Sequence, residues 1–308
     1  MDCLRGCWRT VHTECMTDRP TIRTRRLASE LRLLRERATL NLDEVVTALH
    51  SSGGGRWSVA KLSRIERAAQ RIKSQDLEQL LDLYEVPPER REGLQALARG
   101  ARQRGWWDAY ADTIHSDYTT YIRLEAEARS LRCFDGLAIN GLLQTDEYTG
   151  EVCRVGMMQF GTQTAIERRI DVRRVRQRVL DDREPEPLRL WSILDEGALR
   201  RQVGGPEVMH RQYEALLEVA NLPNVMLQVL PFEAGAHAAV TGTFAIMDFA
   251  DAHMPDVVYL DGLTSALYEE NDRHVYRYSL AFNQLAMSAI GVDESLEFIA
   301  DLAGASAG

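Results

Sequence analysis

The residues able to do chemistry are few and scattered. His237, Glu233 and the adjacent pair Asp195 and Glu196 supply an acid/base set, the side-chain types that proton transfer employs. No spacing in the chain draws them together, and structural or exposed roles account for them more simply. Cys3 and Cys7 stand in a C-x3-C arrangement with His12 and Cys15 close behind. That is a start on a metal site, but it lacks the second closely spaced pair of a structural zinc centre. Five cysteines in all, with Cys133 and Cys153 far downstream, are too few and too dispersed for a disulfide framework. There is no G-x-S-x-G, H-E-x-x-H, Walker loop or Cys–His signature. Gly235 and Gly242 bracket a loop between two strand-like runs, which a hairpin explains more simply than a phosphate cradle. Arg169, Arg173 and Arg176 recur at i, i+4 and i+7, so on a helix they line one side. A solvated face is expected there, with a dock for an acidic partner surface as the alternative. No catalytic residue, cofactor or metal is expected, and the chain is not expected to be an enzyme.

Charge carries more information than any single residue. The chain of 308 residues has a formal net charge of −9. Residues 1–110 hold 20 Lys/Arg against 15 Asp/Glu, a balance of +5, and the remainder holds 17 against 31, a balance of −14. Within residues 19–73 the count is 13 basic against 5 acidic, or +8. Salt screens exposed charges beyond roughly 8–10 Å, so a phosphate-bearing partner responds to the local field more than to the total. The asymmetry predicts two halves with different tasks.

The elements that must position these groups follow from periodicity. Leu27, Leu31 and Leu34 form one apolar stripe on a helix from about Arg25 to Ala38. Asn41 and Glu44 have capping-box spacing, ahead of a short helix with Val45, Val46 and Leu49 inward. The run Ser51 to Arg56, with three glycines, reads as a turn. Ser58 can cap a third helix that points Leu62 and Ile65 inward, Ser74 opens a fourth, and a fifth runs from about Glu89 to Gly105 beyond Pro87 and Pro88. Trp106 and Trp107 are expected to pack between domains. Residues 115–183 read as helical, and Pro185 and Pro187 interrupt them. Five strands are then predicted at Leu188–Leu194, Asn224–Leu230, Thr243–Phe249, Asp256–Leu260 and Ala266–Glu270, among helices at about Pro206–Ala220 and Tyr276–Ala303. The expected fold class is α+β: an N-terminal all-α domain of five helices, joined to helices around a small, mainly antiparallel sheet. The predicted divisions are a disordered tail over 1–20, a helical domain over 21–110, a helical connector over 111–184 that begins the C-terminal domain, and an α+β domain over 185–308. Met16 precedes a stretch that resembles a natural start, which makes residues 1–15 candidates for an over-extended one. No apolar run approaches the roughly 20 residues of a membrane span, and the opening residues lack a secretory h-region. A cytoplasmic location with no membrane partner is expected.

The segment from Asn41 to Glu66 resembles the helix-turn-helix of the Cro/cI (XRE) repressor superfamily. The resemblance rests on LNLDEVVTAL, WSVAKLSRIER and the downstream DLEQLLDLYEV, about 60 residues in all. It implies that the helix after the turn lies in the major groove of double-stranded DNA. Val59 and Ala60 then fall where the first base-contacting side chains sit and can touch only thymine methyl groups. Arg64 falls at a later base-facing position, where its guanidinium can pair with guanine O6 and N7. The same correspondence gives Lys61, Ser63 and Ser58 to phosphate, with Arg56, Arg67, Arg71 and Lys73 flanking them. It also pairs Glu66 with Arg35 inside the domain. Two departures stand out: Leu42 replaces the usual phosphate-binding Gln, and Gly53–Gly55 lengthen the turn.

Residues 121–300 resemble the C-terminal domain of an actinobacterial-type regulator family described as antitoxin-like. The carrying segments are EAEARSLRCFDGLAINGLLQTDEYT, LDEGALR, LPNVMLQVLPFEAGAH, GTFAIMDF and VVYLDG, with Asn140 in place of the proline expected before GLLQT. Members are commonly encoded beside small partner proteins, which implies regulation through complex formation. The leading expectation is therefore a sequence-specific transcriptional regulator that forms a homodimer or binds a small partner protein encoded nearby. The alternatives are an antitoxin-like protein that neutralises a partner, with DNA binding for autoregulation, and an enzyme with a DNA-binding tail.

Overall fold

Leucines at helical spacing decide the first third of the molecule. In a computed structural model that describes residues 22–53, 56–100, 105–110, 114, 116–157, 161–250, 254–263 and 265–306, they build α1 (Ile22–Arg37), α2 (Leu42–Ser51), α3 (Val59–Glu66), α4 (Ser74–Leu83) and α5 (Pro88–Gly100). Leu27, Leu31 and Leu34 are buried together with Val45, Leu49, Leu62, Ile65, Leu77, Leu80 and Leu81. Burial of each such side chain contributes roughly 1.5–3 kcal/mol, which short helices need because they are marginal in isolation. The chain divides into two compact units, Met1–Arg104 and Gly105–Gly308. The metal reading of Cys3, Cys7, His12 and Cys15, the tail over 1–20 and the central turn glycines Gly54 and Gly55 lie outside the described residues.

The second unit is built on a six-stranded mixed sheet. Its elements are α6 (Ser116–Glu127), β1 (Ser130–Asp135), α7 (Asp146–Gly156), α8 (Gln163–Gln177), β2 (Arg189–Asp195), α9 (Glu196–Arg200), α10 (Pro206–Val219), β3 (Val225–Leu230), β4 (Phe244–Asp248), β5 (Val257–Asp261), β6 (Ala266–Glu269), α11 (Asp272–Ser288) and α12 (Val292–Ser306). The strand order is β3-β2-β1-β4-β5-β6. Strands β1, β2 and β3 run parallel, and β4, β5 and β6 pair antiparallel. The fold is α+β, with three antiparallel pairings and two parallel ones. Helix α11 covers one face, where Phe282 and Leu285 pack on Phe134, Ile193, Ile246 and Val258. Among the described residues no helix is long and apolar enough to cross a membrane.

Five expectations are corrected here. Strand β1 lies inside the stretch read as helical and is the hinge of the sheet. Its residues SLRCFD do not alternate cleanly, because a central strand buries both faces. Gly235 and Gly242 do not belong to a hairpin. Strand β3 is an edge, β4 sits beyond β1, and the loop crosses two strands; both glycines take positive φ, 65° and 136°. The helix expected over Tyr276–Ala303 is broken at Ala289–Gly291. The backbone N–H of Ile290 donates to Val229 O at 3.0 Å, and Ser295 Oγ accepts from Val229 N at 2.9 Å. The break thus covers the outer edge of β3, which would otherwise expose unpaired backbone. Trp107 packs with Ile114, Ile122 and Val172 inside the second unit, with Trp106 edge-on to it, so these rings serve that unit's own core.

The fifth correction concerns the arginine row on α8. Arg176 is buried, not solvated: its Nε and Nη2 donate to the two Glu125 oxygens at 2.8 and 2.6 Å, and Nη1 donates to the Tyr118 hydroxyl. Both ionic side chains are almost completely buried, 3% and 1% exposed. Burying two charges is costly, and the pair repays the cost only while it stays intact. Glu125→Leu alone is expected to lower stability in urea unfolding by roughly 3–5 kcal/mol, and Glu125→Leu with Arg176→Met to restore most of it. A single-variant loss near zero would contradict this.

Candidate nucleic-acid interface

Helix α3 is only eight residues long, and its surroundings fix it on three sides. At its N-terminus Ser58 Oγ accepts from Lys61 N at 3.1 Å, which satisfies one of the orphan donors of the first turn. Leu62 and Ile65 point into the core. Ala60, Arg64 and Arg67 therefore face outward, with Ser63 half-buried between them. Arg64 is exposed, and its Nε donates to Gln70 Oε1 at 3.1 Å. The partner is a neutral amide, so the guanidinium keeps its net charge and its remaining donors. Arg67 Nε caps Ser63 O at 3.2 Å, and Arg56, Arg67, Arg71 and Lys73 are all exposed. Val59 is half-buried at the start of the helix.

Lys61 takes a different place from the phosphate contact expected of it. Its ammonium lies 2.8 Å from Asp76 Oδ1 on α4 and 4.2 Å above the Trp57 ring, and both charged side chains are largely covered. A phosphate would have to compete with Asp76 for it. The ion pair and the cation–π contact make Lys61 a brace for the start of α3.

The far end of α3 is held across the domain. Arg35 Nε and Nη2 donate to the Glu66 oxygens at 2.8 and 2.9 Å, and Nη1 donates to Leu40 O at 2.9 Å. The hydrogen bond that Arg35 donates to Glu66 raises the Arg35 pKa above its already high value. Tyr84 lies beside the pair, and burial, then the Glu66 charge, push its phenol well above the usual range.

Trp57 was not singled out from the sequence. It is buried, its indole N–H donates to Gln79 Oε1 at 2.8 Å, and its carbonyl meets His50 Nε2 at 3.2 Å. It nails the residues before α3 to α4 and α2 downstream of the glycines. A tryptophan two positions after a glycine run was the available signal. On α2, Asn41 and Glu44 close a capping box, and Leu42 is half-buried at the first helical position.

In the second unit the acid/base candidates are separately engaged. Asp195 caps α9 through Gly197 N at 2.7 Å. Glu196 is buried, accepting from Phe232 N at 2.7 Å and Arg200 Nε at 2.5 Å. His237 Nδ1 accepts from Ala239 N at 3.3 Å, and its ring packs on Phe134. Glu233 is exposed on a 3-10 turn.

The arrangement defines a protein with an N-terminal helix-turn-helix followed along the chain by a larger α+β domain. A helix-turn-helix domain model matches residues 26–94. The model described as "Domain of unknown function (DUF5753)" matches residues 118–301, more than half of the chain, and the protein belongs to that family. No curated protein and no solved structure matches the chain.

The pair at the far end and the arginine on the outer face should separate in stability measurements. Glu66→Ala strands Arg35 and is expected to cost roughly 3–5 kcal/mol, whereas Arg64→Ala should stay within about 0.5 kcal/mol of the parent. Thermal and urea unfolding of both variants checks this, and equal losses would contradict it.

Proposed function

We propose that the protein is a sequence-specific DNA-binding transcriptional regulator of the Cro/cI (XRE) type. In this role α3 enters the major groove and Arg64 reads a guanine edge. The observation that carries the proposal is the exposed Arg64 guanidinium on the outer face of a capped helix whose other sides are spent on the core. The local balance of +8 over residues 19–73 supports attraction to phosphate. Arg56, Arg67 and Arg71 serve as positioning contacts to the duplex, and Ala60 meets a thymine methyl. Lys61 supports the helix in place of touching phosphate.

The acidic second unit is assigned to assembly, either as a homodimer or with a small partner protein encoded nearby. One small domain reads few base pairs, and two-fold operators multiply the recognised length. Support comes from the outer face of α11, where Tyr276, Leu280 and Met287 are exposed at helical spacing. The same face favours a second reading, an antitoxin-like protein that neutralises its partner and binds DNA for autoregulation. Co-purification of a stoichiometric small protein, toxic when free, would select that reading. A cytoplasmic site of action accompanies either.

Fluorescence anisotropy with a selected operator tests DNA binding directly. Log K is expected to fall linearly with log salt, by about 0.9 per phosphate contact, and a flat dependence would reject the proposal. Arg64→Ala should lose about 1–3 kcal/mol of discrimination at one base position and leave random DNA nearly unaffected. Arg56→Ala should weaken specific and random DNA alike. Equal losses on both DNAs for Arg64→Ala would remove its base-reading role.

A further inference from the structure

At the carboxyl end of β1 the sheet changes direction of growth. Strand β2 lies parallel on one side, β4 antiparallel on the other, and the chain leaving β1 turns away from both. In open α/β sheets such a switch point leaves a crevice where ligands bind. Here it holds a cavity of about 630 Å³, within the range of small-molecule sites.

Helix α8 contributes three cations to the cavity lining, Arg169, Arg173 and Arg176. Arg176 is neutralised by Glu125, and on the outer side of α8 Arg174 is neutralised by Asp146. Arg173 is different. Its Nε is buried with no hydrogen-bond partner, and among the described residues no carboxylate pairs with Arg173 or Arg169. Buried donors are almost always satisfied, and an exception calls for a missing acceptor. The sequence also makes room for this guanidinium. Gly141, in the turn after β1, passes so close that a Cβ there would collide with Arg173 Nη1, and Gln177 pins the turn to α8 through Gly141 O at 3.2 Å and Gln144 O at 2.7 Å.

The lining is also aromatic: Arg176 lies over the Tyr121 ring at 5.0 Å, and the Tyr121 and Tyr259 rings are 4.4 Å apart. Two acids line the space, Asp261 and Asp135. Asp135 is tied to Ser192 Oγ at 2.7 Å, and burial lifts its pKa to about 7, so near neutrality it opposes an anion with only part of a charge.

We propose that this cavity binds a small organic anion, with a carboxylate or phosphate on Arg169 and Arg173 and a flat apolar body against Tyr121 and Tyr259. The site is independent of the DNA-reading surface, and its test does not involve DNA. Isothermal titration of the full chain would use phenyl phosphate and benzoate, with phenol and inorganic phosphate as controls. At least one aromatic anion should bind saturably, with preference for phenyl phosphate or benzoate identifying the head group. Phenol and inorganic phosphate should each bind at least about tenfold more weakly, the weight of one charged hydrogen bond or one buried ring. Arg173→Ala and Arg169→Gln should each weaken the aromatic anion by about tenfold or more. Arg154→Ala, on exposed α7 surface with Glu151, should leave it unchanged. Should Arg173→Ala fail to fold, Arg169→Gln and the amide shift of Gly141 during titration decide. The proposal is overturned by no saturable binding of either aromatic anion, by inorganic phosphate binding as tightly as phenyl phosphate (an adventitious ion only), or by unchanged affinity in the arginine variants.

Discussion

The ion pair between Arg35 and Glu66 is the constraint on which the first unit turns. An eight-residue helix has too few internal hydrogen bonds to hold itself in water, so α3 exists because its neighbours hold it. Ser58 closes its first turn, Leu62 and Ile65 fill the core, Lys61 reaches Asp76, and Glu66 locks the last turn to α1. Every direction but one is occupied. The pair joins residues 31 positions apart, and because both side chains are mostly covered, neither can be released cheaply. The outer face therefore presents Ala60, Arg64 and Arg67 at a fixed angle. Preorganisation of this kind is what the proposed base-reading role of Arg64 calls for, since little ordering cost then remains at binding.

The second unit uses the same interaction to different effect. Arg176 and Glu125 clamp α8 to α6 inside the core, and that clamp holds the preceding turns of α8 over the end of β1. Arg173, one turn earlier on the same helix, thereby comes to lie against Gly141, and among the described residues no carboxylate pairs with it. Three arginines with one spacing thus divide into a structural ion and two available cations. The division comes from what faces each turn of the helix, not from the helix itself.

That distinction marks where sequence reasoning worked and where it stopped. Helices α1–α5 and strands β2–β6 were readable because an apolar stripe or a short apolar run marks each, a pattern local to a few residues. Strand β1 was not, since Arg132 and Asp135 interrupt six residues set between helices, and the hairpin wrongly placed at Gly235 and Gly242 follows from missing it. The partners of charged groups were also hidden. Glu125 lies 51 positions before Arg176 and Asp76 lies 15 after Lys61, distances at which periodicity says nothing about contact. Where a template of related repressors supplied the missing geometry, as for Arg35 and Glu66, the residues could be named; where it did not, as for Trp57, they were passed over.

Charge distribution links the two halves without any assumption about their arrangement. A phosphate backbone attracts the +8 segment at short range, while the rest of the chain carries −14 beyond residue 110 and repels it. Both terms are screened over about 8–10 Å, so each acts on a duplex only where its own charges come close. Under the proposed function, discrimination falls on the Arg64 guanidinium, and the fold commits three sides of an eight-residue helix to hold that guanidinium in place.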